Sequence, residues 1–187
     1  AAGLEPVDNP SALFLQGRQE VTSGSAVVAA LEGTRPVLVE VQALVNKSVY
    51  GSPQRVTTGF DSRRLALLLA VLERRARLRT SDLDVFLNVV GGLRLVEPAA
   101  DLAVVAAVAS AIRDVVLDGE SVFVGEVGLG GEVRPVRQLD RRLGEAGRLG
   151  FRRAYLAAAS QISAKNAPVA LEKVSDLRRL IDVLFAK

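Results

Sequence analysis

Four residue types are missing from this chain of 187 residues: cysteine, histidine, methionine and tryptophan. Without cysteine there are no disulfides, no thiolate catalysis and no thiolate zinc site. Without histidine there is no Ser-His-Asp triad, no HExxH zinc site and no imidazole acid–base chemistry. What remains open to catalysis is carboxylate chemistry, a Ser-Lys or Thr nucleophile, or a carboxylate metal site. Aromatics are scarce at 4%, so the core has to be built from Leu, Val and Ala. No apolar run is long enough for a membrane. The most apolar stretch, 98–112, falls short of the roughly 18–20 residues a span needs and carries Asp101. No leader is visible and the chain does not start with Met, so it reads as a fragment or a processed chain.

What is present suits a globular domain. Apolar residues make up 49% and charged residues 24%, close to the usual composition. The net charge is +3, and the isoelectric point is about 9.7. The basic residues are overwhelmingly Arg and they cluster. Residues 61–79 hold Arg63, Arg64, Arg74, Arg75, Arg77 and Arg79 against Asp61 and Glu73. Arginine grips phosphate with a planar fork, which makes such a cluster a candidate nucleic-acid contact. A solvated arginine-rich face accounts for it equally well.

Along the chain, residues 1–10 read as a linker remnant and 11–187 as one domain. Residues 11–15 are a short apolar run, strand or turn. Segments 26–31 and 36–45 alternate around a four-residue turn and predict a β-hairpin. Residues 46–53 read as a loop that includes Lys47, and 55–60 as a further strand. Asp61 or Ser62 caps a helix to about Arg77, buried from Leu65 to Leu72 on nearly every face. A strand over 85–90 follows, which 93–96 continue or pair with. Pro98 opens a core helix over 99–114. A strand at 121–126 and an arm at 132–136 form a second hairpin. Then come a helix at 138–149, a strand at 154–158, a polar loop, and a helix at 176–185 capped by Ser175. Hairpins first and helix–strand alternation later predict an α/β (α+β) sandwich with a mixed sheet. No P-loop is present, because no Lys follows a Gly, and the glycines at 125–131 do not fit GxGxxG.

One arrangement is more specific. Residues 125–140 run Gly-Glu-Val-Gly-Leu-Gly-Gly-Glu-Val-Arg-Pro-Val-Arg-Gln-Leu-Asp. They resemble the pattern G-E-[IV]-x-L-x-G-x-[IV]-x-P-[IV]-x-G-[IL]-K of the Lon proteolytic domain. The resemblance implies that fold, also called ribosomal protein S5 domain 2-like. It also implies where chemistry would sit. The nucleophilic Ser of the family's D-G-P-S-A-G segment aligns with Ala99 in Glu97-Pro98-Ala99-Ala100-Asp101, and the general-base Lys aligns with Asp140. A methyl cannot attack a carbonyl and a carboxylate is no amine. Asp101, in place of a Gly, brings negative charge close to where an oxyanion would develop. A dyad rebuilt from Ser25 or Ser48 with Lys47 is the remaining route to a peptidase.

The rest of the chain narrows the resemblance. Asn9-Pro10-Ser11, Phe14-Leu15, Gly24-Ser25-Ala26-Val27, residues 40–45 (EVQALV), 84–92 (DVFLNVVGG) and 97–102 (EPAADL) are similar to the RadA (Sms) family of DNA-repair proteins. Those are RecA paralogues with a zinc finger, an ATPase core and a C-terminal Lon-like domain. The resemblance implies a non-catalytic Lon-like domain, with no cofactor of its own, that binds DNA and supports a hexameric ring in recombination and branch migration. DNA (single-stranded, duplex or branched), further copies of the chain and RecA are the expected partners, in the bacterial cytoplasm at the nucleoid. Candidate phosphate contacts are Arg55 and Arg64 first, then Arg35 and Arg134 on hairpin turns, then Arg63 and Lys47. The alternatives are a ring-building scaffold without DNA affinity and a residual Ser-Lys peptidase.

Overall fold

A computed structural model describes residues 11, 15, 22–49, 51–162 and 167–186. The chain opens with the expected hairpin, β1 (Ser25–Glu32) and β2 (Arg35–Lys47). These strands pair antiparallel from Ser25–Gln42 to Glu32–Arg35. Gly33 takes a positive φ of 60° in the turn, a conformation that costs glycine nothing. Next come β3 (Arg55–Thr58), α1 (Ser62–Ala76) and β4 (Leu83–Val89). A 3-10 turn, Pro98–Ala100, leads into α2 (Asp101–Arg113). The second half holds β5 (Ser121–Val124), β6 (Glu126–Val127), β7 (Val133–Arg134), α3 (Leu139–Arg148), β8 (Arg153–Ala157), β9 (Ala170–Val174) and α4 (Leu177–Leu184).

Seven strands form one sheet in the order β3-β4-β2-β1-β5-β8-β9, and β6 and β7 form a separate ribbon. The β1–β2 and β2–β4 pairs are antiparallel. The β3–β4, β1–β5, β5–β8 and β8–β9 pairs are parallel. The mixed sheet and α/β class are as the sequence predicts. One face is covered by α1, α2 and α4. Residues 101–110 of α2 are all buried, which explains a helix of almost nothing but Ala, Val and Leu. On the other face, Leu143 and Ala146 of α3 pack on Val27, Ala29 and Leu38. No helix among the described residues is long and apolar enough to cross a membrane.

Several expectations need correcting. Lys47 ends β2, opposite Leu83 of β4, and is not in a loop: hydrogen bonding to β4 carries the polar Asn46-Lys47 along. Residues 93–96 neither continue nor pair with β4; Leu95 bridges to Phe60 instead, because Gly91 and Gly92, both at positive φ, turn the chain away. The centre of α1 is buried on one side only, and Leu67 is 45% exposed. Asp176, not Ser175, caps α4: its carboxylate accepts from the Arg179 N–H at 2.9 Å, and Ser175 donates to the same side chain. The expected polar loop before it contains β9, an edge strand held by β8. Ser11 and Leu15 are helical; the rest of 11–15, and residues 1–10, lie outside the described residues.

Candidate functional site

The 3-10 turn before α2 places Ala99 at the centre of the candidate site. Its carbonyl accepts from the Gly125 N–H at 3.0 Å, and the Gly125 carbonyl accepts from the Leu102 N–H at 3.1 Å. These bonds tie the turn to the start of the Gly125–Asp140 motif. A side chain at 125 would come within 2.9 Å of Val133, so a close approach requires the glycine. Ala99 is buried among the apolar side chains of the α3 layer. Asp140 is exposed in the first turn of α3. Gln138, where the pattern has Gly, adopts a left-handed φ of 56° at the helix start.

Two carboxylates flank Ala99, at two residues before and two after, and each is locked by an arginine. Asp101 is fully buried. Arg64 grips it with both arms of the guanidinium, Nε to Oδ1 at 3.0 Å and Nη2 to Oδ2. The Val127 N–H donates to Asp101 at 3.0 Å, and Arg64 reaches the Val127 carbonyl at 2.9 Å. Burial pushes the Asp101 carboxyl above the ordinary aspartate range, against the pull of Arg64 and Val127. The hydrogen bond to Asp101 raises the Arg64 value, so its charge is secure. Asp61 caps α1 by accepting from the Arg64 N–H at 2.7 Å, which fixes where Arg64 starts.

On the other flank, Arg142 of α3 is only 2% exposed. It donates to Glu97 at 2.8 and 2.6 Å, to the Ala29 carbonyl at 2.7 Å and to the Arg137 carbonyl at 3.0 Å. Glu97 also accepts from the Leu31 N–H at 2.8 Å. Arg142 and Glu97 are residues that sequence reasoning missed. Beside Glu97, Pro98 and Asp101 lies a groove of about 540 Å³, walled by Phe60, Arg64 and Arg94. Around Ala99, then, sit its own methyl and two carboxylates, each gripped by an arginine. Ser25 is buried and donates to Glu40 at 2.5 Å, so its hydroxyl faces a carboxylate. Among the described residues no cluster of three His, Cys, Asp or Glu could hold a metal.

The arginines singled out from the sequence fall in different places. Arg64 is held by Asp101. Arg55 donates to the Gln54 and Thr80 carbonyls at 2.9 Å each and to that of Leu83. Arg134 lies between Glu132, at 2.5 Å, and Glu126, at 3.7 Å. Arg35 is exposed and closes the first hairpin opposite Glu32. Arg63 is exposed on the first turn of α1. Arg74 and Arg75 end that helix, and Arg77 caps it in a left-handed conformation. The fold brings Lys47, Arg55, Arg77 and Arg79 to one end of the sheet. There Lys47 faces Leu83, the Ser48 N–H donates to the Asp82 carbonyl, and Arg79 pairs with Asp82 at 3.2 Å. No side-chain partner holds Lys47, Arg74 or Arg77 among the described residues.

No family model matches the chain. Several curated proteins do. The chain is 51% identical over 185 residues to the DNA repair protein RadA of Pseudomonas aeruginosa, covering 98% of this chain and 40% of that protein. It is 49% identical over 182 residues to the DNA repair protein RadA of Escherichia coli, covering 97% of this chain and 39% of that protein. With the Bacillus subtilis protein of the same name it shares 48% over 158 residues, 84% of this chain and 34% of that one. The chain therefore spans about two fifths or less of the length of these relatives. At half identity across nearly all of its own length, it belongs to the family of proteins named DNA repair protein RadA.

Proposed function

We propose that this chain serves DNA repair as a non-catalytic, Lon-like part of a RadA protein, one that contacts DNA and supports ring assembly. The observation that carries the reading is the similarity of about half identity to relatives named for DNA repair. Two features of the structure support its finer parts. A buried methyl stands at the position that the Lon pattern gives to the nucleophile, and Asp101 beside it is committed to Arg64. The exposed basic end formed by Lys47, Arg77 and Arg79 offers cations to a phosphate backbone. Its contacts would position DNA without reading sequence. Arg64 and Arg55, the first candidates from sequence, are better placed to hold the fold, since their guanidinium groups are already bound.

Fluorescence anisotropy with labelled duplex and single-stranded DNA, from low to physiological salt, tests the reading. Binding should weaken steeply with salt. Lys47→Glu combined with Arg77→Glu should flatten the duplex salt slope by about 2, roughly one for each phosphate no longer neutralised. Unaltered binding by that double variant would move the DNA elsewhere. No binding by the parent chain at low salt would leave a scaffold without DNA affinity.

A further inference from the structure

Among the described residues, the sheet has a bare area over β2, β4 and β3. Facing away from α1 and α2, the side chains of β2, β4 and β3 stand in rows set by the strand register. Leu44, Phe86 and Val56 form one continuous apolar row, since Leu44 pairs with Phe86 and Phe86 with Val56. Leu44 is 60% and Val56 47% exposed. A polar row of Gln42, Asn88 and Thr58 flanks it on one side, and Asn46 with Asp84 on the other. The area is concave, with a hollow of about 530 Å³. Helix α3 covers this sheet face only farther along, over Val27, Ala29 and Leu38.

The opposite side of the molecule carries a matching convex feature. The outer stripe of α1 consists of Arg63, Ala66, Leu67 and Ala70, all exposed. The buried stripe, Leu65, Leu68 and Leu72, faces Val85, Leu87 and Val89 on the far side of the same strands. We propose that the bare Leu44–Phe86–Val56 face receives the Leu67 stripe of α1 from a second copy of this chain, in a head-to-tail contact. This rests on the ring-assembly part of the function proposed above and gives it a surface.

Three observations favour a second copy as the occupant. The stripe offers the Arg63 guanidinium beside its leucine, whereas the flanking rows offer amide oxygens and the Asp84 carboxylate, one oxygen of which accepts from the Gln54 N–H at 2.8 Å. The spacing agrees: Arg63 precedes Leu67 by about 6 Å along a helix, and rows two residues apart on a strand are separated by about 7 Å. Leu67 can therefore sit on Phe86 while Arg63 reaches the Asp84 or Asn88 row. The two alanines let the helix axis approach the sheet closely. Because the two surfaces lie on opposite sides of one chain, a single two-fold contact cannot use both. The contact is heterologous and continues until it closes.

Having no cysteine, the chain allows a clean crosslinking test. Leu44→Cys and Leu67→Cys variants, both at exposed positions, are mixed and mildly oxidised, and the parent chain is sized by light scattering. The expected result is a parent assembly larger than the chain mass of 19.8 kDa, and a disulfide-linked pair formed at least tenfold more in the mixture than in either variant alone. Self-crosslinking of Leu67→Cys or Leu44→Cys as the main product would indicate a two-fold contact and overturn the proposal. Parent assemblies with no crosslink would overturn this surface yet leave ring assembly standing. A parent that stays a single chain at high concentration would remove both.

Discussion

Arg64 and Asp101 meet side-on, two guanidinium nitrogens against two carboxylate oxygens, with the Val127 backbone bonded to both partners. The pair ties α1 to the start of α2 and to β6 at the mouth of the groove. Its partners are unequal, for Asp101 is fully buried while the Arg64 side chain keeps 30% of its exposure.

That inequality gives the first prediction. Arg64→Ala leaves a buried carboxylate without its cation, whereas Asp101→Ala leaves an arginine that can turn to solvent. Arg64→Ala should cost about 3 kcal/mol, at the low end for a broken buried pair, and Asp101→Ala clearly less. The pH dependence has a definite sign. Without Arg64 the folded Asp101 value rises further above the unfolded aspartate value of about 3.9, so the folded state binds the proton more tightly. The deficit of Arg64→Ala relative to the parent should then shrink as pH falls from about 8 to about 5. Urea midpoints at several pH values measure it; a deficit that grows on acidification would contradict the burial argument.

Arg142 leads to the second prediction. Its fork satisfies Glu97 and two backbone carbonyls from a position almost closed to water. Lysine carries the same charge but cannot reproduce that planar geometry. Arg142→Lys should lower stability by about 2–3 kcal/mol, and Arg142→Ala by about 3–5 kcal/mol. An Arg142→Lys variant as stable as the parent in urea would show that charge alone suffices.

A third prediction concerns the acid side. Asp176 is held below the ordinary aspartate range, first by the Arg179 N–H and next by Ser175. Glu73 is held below the glutamate range, chiefly by the Thr80 N–H. Stability from both is complete above their unfolded values, near 4, and is lost as pH falls through the lowered folded values. Asp176→Ala should cost about 1 kcal/mol at neutral pH, as a lost helix cap, and should flatten the acid limb of the stability profile. Circular dichroism during acid titration follows both effects.

Local patterns explain which parts were legible in the sequence. The first hairpin could be read because alternation and a Gly turn both act over a few residues. The core helix could be read because its eight successive buried positions 102–109 hold nothing but Leu, Ala and Val. Strand β9, with the sequence Ala-Leu-Glu-Lys-Val, could not, because an edge strand keeps polar side chains and exists through its pairing with β8. Arg64 and Asp101 each drew notice separately, as a phosphate contact and as a negative charge close to where an oxyanion would develop. Their union depends on a contact 37 positions apart in the chain that no local spacing encodes. Arg142 gave no signal at all: in an amphipathic helix rich in arginine, nothing in the sequence marks the one that points inward.

The last prediction concerns position 99, to which the resemblance to the Lon pattern assigns a nucleophile. Ala99→Ser would return a hydroxyl to the place where the Lon pattern has its nucleophile. The hydroxyl would enter an apolar cluster with Val122, Val124 and Leu143, where an unpaired polar group costs about 1–3 kcal/mol. The position that the pattern gives to the activating amine, 140, holds an exposed aspartate. Asp101, two residues on, stands in the first turn of the helix with both oxygens held by Arg64. The variant should therefore be somewhat less stable than the parent, should not react with a serine-directed phosphonylating probe, and should not cleave an unfolded protein substrate. Intact-mass spectrometry after probe treatment decides the matter. Labelling confined to the Ala99→Ser variant would mean that the groove retains an activating group and that only the nucleophile was lost. Labelling of the parent chain would point instead to Ser25 or Ser48 and restore the peptidase reading.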